Sequence, residues 1–280
     1  MTTESVRLLH ISDIHCGTPF VSHHVDAAQT LAASMRFDAI AISGDLSQRS
    51  RTHELRAARK ILDALREIAP LLVVSGNHDA AWWYAPFGVG WRSRVHARWR
   101  RYIQAELEPT LCVPGLALIG LNSAPGAMPR TVTMNPRDWS VKGGLTASQI
   151  EAARTRVANT SPSDLRVLVT HHNVVRGRLS DRWGMTKPEQ TLQALASLGA
   201  DVICTGHDHE ERVERVVLGP HALVVSGANT LSNRVRGHRA SALNVIDADA
   251  TTVAVTIWKY DEDVRAFTLG QSSRFPRALR

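Results

Sequence analysis

Six short apolar runs punctuate the chain: 6–12 (VRLLHIS), 39–43 (AIAIS), 71–75 (LLVVS), 116–121 (LALIGL), 166–170 (RVLVT) and 201–205 (DVICT). Runs this short and this rich in Val, Ile and Leu read as strands that are apolar on both faces and must be covered on both. Such a strand can offer side chains to solvent only at its ends. Five of the six stop in a polar cluster: Asp13-Ile14-His15, Gly44-Asp45, Gly76-Asn77-His78-Asp79, His171-His172 and Gly206-His207-Asp208-His209.

Helical patterns separate the runs. In 52–68, Leu55, Ala58, Ile61, Leu62, Leu65 and Ile68 recur at helical spacing. Residues 146–157 open with Thr146 and Gln149 at capping-box spacing. The segment 187–199 has Pro188 near its start and Gly199 just past its end. Strand alternating with helix predicts an α/β fold with a largely parallel sheet. Later runs at 222–226, 241–247 and 253–259 predict a second sheet packed against the first. No linker divides the chain, so a single domain over 1–265 is expected, with 266–280 as a C-terminal tail. Residues 122–144, rich in Pro and Gly, read as a long surface loop.

The formal charge of +7 favours an anionic partner. Cys16, Cys112 and Cys204 are far apart and form no CxxC pair. That argues against a disulfide framework and for a reducing, cytoplasmic compartment. The N-terminal residues do not read as a secretory leader, and no apolar run approaches the roughly 18 residues of a membrane span.

In open α/β sheets ligands bind beyond the carboxyl ends of the strands. Five strand ends therefore deliver carboxylates, an amide oxygen and imidazoles to one rim. Without thiolate, this mixed set suits Mn, Fe or Zn. Asp-x-His and His-x-His put two donors on one side of an extended chain, because side chains alternate with period two. A lone DxH or GD is commonplace; all five clusters in this order, each at a strand end, are not.

Residues 13–209 resemble the calcineurin-like metallophosphoesterase superfamily, whose motifs are DxH, GD, GNH(D/E), H and GHxH. The resemblance implies a four-layer αββα sandwich with two metal ions at the strand ends. It implies that Asp13, His15, Asp45 and His209 hold the first metal. Asp45 would bridge to the second, completed by Asn77, His171 and His207. His171 directly follows its strand, and its neighbour His172 is the alternative. A hydroxide between the two ions would then attack phosphorus in line with the leaving group. His78 and Asn77 would face the substrate phosphate, with His78 stabilising charge or protonating the leaving oxygen. Asp79 would either orient His78 or cap the following turn.

The start LLHISDIH, GLNSAPG at 120–126 and GGLTASQIEAAR at 143–154 resemble the class III 3′,5′-cyclic nucleotide phosphodiesterases. Gln48, where related protein phosphatases carry an acid, and GNHD in place of their GNHE point away from protein phosphatases. His78 stands where lipid A precursor pyrophosphatases carry Arg. Asn173 departs from the HHPP common in the cyclic nucleotide branch. The expected substrate is a small anionic phosphodiester, a cyclic nucleotide foremost. The alternatives are a broad phosphomonoesterase, a nuclease, and, remotely, a non-catalytic protein-binding scaffold. Nucleic acid is not favoured as a partner, because the long extra domains of the related nucleases are missing.

Residues 80–109 concentrate Trp82, Trp83, Tyr84, Phe87, Trp91 and Trp99 among five arginines. Either this insertion buries its aromatics against the sandwich, or it caps the site, with Trp82 and Arg94 gripping substrate. His23 and His24 read as a surface helix start or as residues facing the site, and His10 as a core histidine. Cys16 and Cys204 are expected to fill space.

Overall fold

The computed structural model describes residues 5–18, 20–81, 92–125, 141–235, 237 and 239–277. Twelve strands are described, in two six-stranded mixed sheets. The first has the order β12-β11-β10-β1-β2-β3, with β1 Val6–Ile11, β2 Ala39–Ile42, β3 Leu71–Val73, β10 Ala242–Ala248, β11 Thr252–Asp261 and β12 Ala266–Pro276. The second has the order β4-β5-β6-β7-β9-β8, with β4 Thr110–Val113, β5 Leu116–Leu121, β6 Leu165–Thr170, β7 Val202–Thr205, β8 Arg212–Leu218 and β9 His221–Gly227. β1, β2 and β3 are parallel, as are β5, β6, β7 and β9, and the remaining pairings are antiparallel.

Period-two alternation explains why these runs are apolar throughout. Leu8, Ala41, Leu72 and Val74 of the first sheet pack against Leu118, Val167, Val169, Val202 and Cys204 of the second, forming the central layer. The intervening residues face outwards. Leu9, Ile11, Ile40, Ile42 and Val73 meet Val25, Ala28 and Leu31 of α1 (Ser22–Ser34) and Leu55, Ala58, Leu62 and Leu65 of α2 (Thr52–Arg66). On the far side, Ile119, Leu121, Leu168 and Ile203 meet α5 (Ala147–Ala158) and α6 (Pro188–Ala196) through Ala153, Val157, Leu192 and Leu195. The result is helix, sheet, sheet, helix, the expected four layers. No helix among the described residues is long and apolar enough to cross a membrane.

Thr146 and Gln149 form the expected capping box: Thr146 Oγ1 accepts from Gln149 N at 3.0 Å, and Gln149 Oε1 from Thr146 N at 2.9 Å.

Two organisational expectations need correction. Residues 266–276 are not a tail but form β12, the edge strand that pairs along β11 through a hairpin; 278–280 lie outside the described residues. Only Phe267 of that strand is buried, so its sequence carries almost no apolar alternation. Nor do the late strands build the second sheet by themselves. β10 to β12 extend the first sheet, β8 and β9 extend the second, and the early parallel strands divide between both.

Of the 80–109 insertion, α3 (Arg92–Val95) and α4 (Ala97–Tyr102) are described. Trp99 is fully buried beside α2, with Val95 and Ile103 also buried, so this portion packs on the core. Trp82 lies outside the described residues, as does 126–140 of the predicted surface loop. Arg94 is an exposed residue of α3.

Candidate metal centre

The ends of β1, β2 and β3 meet those of β6 and β7 at one edge of the sandwich, and the polar clusters converge there. Asp13 Oδ1 lies 3.1 Å from His209 Nε2 and 3.5 Å from His15 Nε2, and the two imidazole nitrogens are 3.2 Å apart. Asp45 Oδ2 is 3.7 Å from His15 Nε2 and, on its other side, 3.3 Å from His171 Nε2. Asn77 Oδ1 is 3.1 Å from both His171 Nε2 and His207 Nδ1. Two donor groups result, sharing Asp45 Oδ2. His172 and His78 also lie within reach of these groups.

Two of the imidazoles are held from behind by backbone carbonyls. His171 Nδ1 faces Ser43 O at 2.8 Å, and His209 Nδ1 faces Arg234 O at 2.5 Å. A carbonyl only accepts, so each imidazole donates from Nδ1 and turns Nε2 into the cluster, the orientation of a metal ligand. The carboxylates are divided in the same way. Asp13 Oδ2 accepts from Ser12 Oγ (2.5 Å) and His207 N (3.0 Å), and Asp45 Oδ1 accepts from His78 N (2.9 Å). Asp13 Oδ1 is buried without any hydrogen bond. Lone pairs at 3.1–3.7 Å repel unless a cation lies between them, so the residues present fit a metal pair.

Electrostatics point the same way. Burial lowers the His171 imidazole, but the Asp45 and Asp13 carboxylates outweigh it and raise it to about 9, so a proton on Nε2 answers the same negative charge that a bound cation would. Burial raises Asp13, yet the His209 and His15 imidazoles hold it well below the usual carboxylate range. The cluster thus demands positive charge between its donors. His15, by contrast, is lowered by burial to about 4, against the pull of the same carboxylates.

Five of the seven expected donors, Asp13, His15, Asp45, His207 and His209, have positive φ between 50° and 71°. Left-handed backbone costs a non-glycine residue roughly 1–2 kcal/mol. Such strain persists where the surrounding structure over-determines it, commonly at functional sites. Glycine is required at two of the strand ends for a different reason. A Cβ on Gly76 would overlap the Asp45 carboxylate, and one on Gly206 would overlap Ser12 and Asp13.

His78 stands beside the cluster, its ring 5.0 Å from that of His15. Its Nδ1 donates to Gln48 O at 2.7 Å, so Nε2 is the free acceptor, 3.1 Å from Arg234 Nη1. Of the two roles open to Asp79, the structure shows turn capping. Its carboxylate accepts from Leu46 N (3.1 Å), Ser47 N (2.8 Å), Gly76 N (3.0 Å) and Ser47 Oγ (2.8 Å), and the Gln48 carbonyl orients His78 instead.

His171 Nε2 faces Asp45 and Asn77, whereas its neighbour His172 turns Nδ1 to Ser123 Oγ at 2.8 Å and keeps a buried Nε2 without a hydrogen bond, within reach of His171 and His207. His10 bonds Ser43 and Ser226 in the core and is lowered by burial to about 3. His24 packs at a tilt against Tyr260, and His23 lies 3.9 Å from Glu262, both at the start of α1. Cys16 and Cys204 are buried packing residues, and burial pushes the Cys16 thiol up to about 12.

Arg234 is not legible in the sequence. It lies in the segment linking β9 to β10, and its only signal is a basic cluster, NRVRGHR, beyond an apolar run. Asn173, which replaces a proline, donates to Val175 O at 2.8 Å and shapes its own turn.

The sheet sandwich with N and O donors gathered at its strand ends is the architecture against which the chain can be compared. The model of the calcineurin-like phosphoesterase family matches residues 6–211, and the chain belongs to that family. No curated protein sequence matches it significantly. Among solved structures, it is similar to the purple acid phosphatase PPD1 of yellow lupin (Lupinus luteus) seeds, with 12% identity, a TM-score of 0.65 and coverage of 98% of this chain and 54% of that one. PhoD is similar with 11% identity, a TM-score of 0.68 and coverage of 99% and 71%. GAP50, the anchor in the inner membrane complex of Plasmodium, gives 11% identity, a TM-score of 0.59 and coverage of 98% and 89%. The chain thus spans about half the length of the lupin phosphatase. At these identities the likeness is one of fold.

Proposed function

We propose that this chain is a dinuclear metal-dependent phosphoesterase acting on phosphodiesters, with 3′,5′-cyclic nucleotides the foremost candidates. The observation that carries the reading is Asp45 Oδ2, set between two groups of N and O donor atoms, within 3.7 Å of His15 Nε2 and 3.3 Å of His171 Nε2. Asp13, His15 and His209 would complete one metal's ligands, and Asn77, His171 and His207 the other's. Two bound cations supply Lewis acidity toward a phosphoryl oxygen and lower the pKa of water held there.

The chain's own residues do the rest. The Ser43 and Arg234 carbonyls hold His171 and His209 in the tautomer that frees Nε2. Gln48 O holds the His78 ring by Nδ1, so that in its imidazolium form Nε2–H can steady charge on a phosphoryl oxygen or pass a proton to the leaving oxygen. Burial of Asp13, His15 and Asp45 excludes water from beneath the reacting group. The diester preference rests on the resemblance of 120–126 and 143–154 to the cyclic nucleotide enzymes.

The deciding experiment loads purified protein with Mn²⁺ and compares bis-p-nitrophenyl phosphate with p-nitrophenyl phosphate, then cyclic AMP and cyclic GMP with AMP. Diester preference with cyclic nucleotide hydrolysis is expected. Preference for monoesters would retain the metal centre and discard the nucleotide assignment. Asp45→Ala should abolish turnover and lower metal content, and retained activity would overturn the site.

A further inference from the structure

We propose that Arg234 binds a non-bridging oxygen of the substrate phosphoryl group, which rests on the phosphoesterase reading above. Its Nη1 lies 3.1 Å from His78 Nε2, 3.2 Å from Gln48 Oε1 and 3.5 Å from His15 Nδ1. The guanidinium therefore stands at the rim of the cluster, beside the imidazole expected to face the phosphate.

The charge is poorly matched as it stands. The side chain is half-buried, and the groups nearest its Nη1 among the described residues are two imidazoles and one amide oxygen. None is a carboxylate. A partly desolvated cation with only neutral partners is costly, and an arriving oxyanion would supply the counter-charge. Guanidinium suits a phosphoryl group because its parallel N–H donors match two oxygens and it stays charged at any working pH.

The segment is built to hold that position. Thr230 Oγ1 donates to Asp13 O at 2.7 Å, and Leu231 N donates to the same carbonyl at 3.2 Å. Ser232 Oγ meets Thr230 Oγ1 at 2.8 Å and accepts from Arg234 N at 3.3 Å. Arg234 O accepts from His209 Nδ1. Backbone and side chain thus have separate tasks. The carbonyl orients a donor of the centre, while the guanidinium is left to the substrate. A side-chain substitution removes the second task and keeps the first.

The test titrates inorganic phosphate calorimetrically into the Mn²⁺-loaded full chain, with metal content measured on the same samples. Arg234→Gln should weaken phosphate binding by about 10- to 100-fold with metal content unchanged, and Arg234→Lys should fall between it and the wild type. Gln48→Ala, which removes only the guanidinium's amide partner, should bind phosphate at least as well as the wild type. Unchanged affinity in Arg234→Gln would overturn the proposal. So would loss of metal in that variant, or a Gln48→Ala loss equal to that of Arg234→Gln, since either makes the guanidinium a strut. Wild-type protein that binds no phosphate overturns it as well. A wild type that binds phosphate through Arg234 but cleaves no ester would refute the hydrolytic reading and leave the anion contact supported.

Discussion

Asp45 Oδ1 accepts the backbone N–H of His78 at 2.9 Å, tying the carboxylate shared by both donor groups to the peptide that carries the overlooking imidazole. The same short loop wraps Asp79, whose carboxylate collects amide donors from Leu46, Ser47 and Gly76. The strand ends of β2 and β3 are therefore one hydrogen-bonded unit.

Separating the two members of that unit gives the first prediction. His78→Ala keeps the backbone N–H and hence the Asp45 contact. Turnover should drop by about 10²-fold or more while both metals are retained, as measured by steady-state kinetics and elemental analysis. Parallel loss of metal would make His78 a ligand.

Gly76→Ala should damage the centre without touching a donor. The added methyl meets the Asp45 carboxylate and backbone, neither of which can yield. A destabilisation of about 1–3 kcal/mol is expected by denaturant unfolding, with metal uptake impaired. Wild-type stability with a full metal complement would show that the loop relaxes freely.

Stability should fall with acid through two histidines that are not among the donors. Burial lowers His96 from 6.5 to about 4 and His10 to about 3. Both are neutral in the folded chain, so below pH 6.5 the unfolded chain binds protons that the folded chain refuses. Stability is therefore full above pH 6.5 and lost as pH falls towards 4, by roughly 3 kcal/mol for His96 across that window. His96→Gln keeps a donor for Ala124 O, 3.0 Å from His96 Nε2. Its unfolding free energy should be flatter between about pH 6.5 and 4.5. An unchanged slope would locate the acid sensitivity elsewhere.

Substrate charge offers a test of Arg234 by kinetics. Coulombic attraction scales with the charge attracted, and a phosphomonoester dianion carries about twice that of a diester. Arg234→Gln should therefore lose more kcat/KM on p-nitrophenyl phosphate than on bis-p-nitrophenyl phosphate. Equal losses would mean that the side chain does not sense phosphoryl charge.

The strands buried on both faces are readable because a short, unbroken run of Val, Ile and Leu between turn residues suits little except a covered strand. The donors are readable because they adjoin those runs. β12 is not, since a strand with one buried residue resembles a tail. α1 buries Ala27, Ala28 and Ala32 with only a few larger side chains, so its apolar periodicity is faint. Arg234 escapes because its position depends on a segment returning from the second sheet to bond Asp13 at the end of β1, 217 residues away from Thr230 in the chain. No local pattern encodes that return.

Each donor group draws on both sheets: Asp13, His15, Asp45 and Asn77 follow strands of the first, and His171, His207 and His209 follow strands of the second. Neither half alone assembles a centre. A chain emerging from the ribosome would remain chemically silent until residue 209 had been made and the two sheets had closed on each other. On the proposed phosphoesterase reading, turnover would then serve as a report on completed folding.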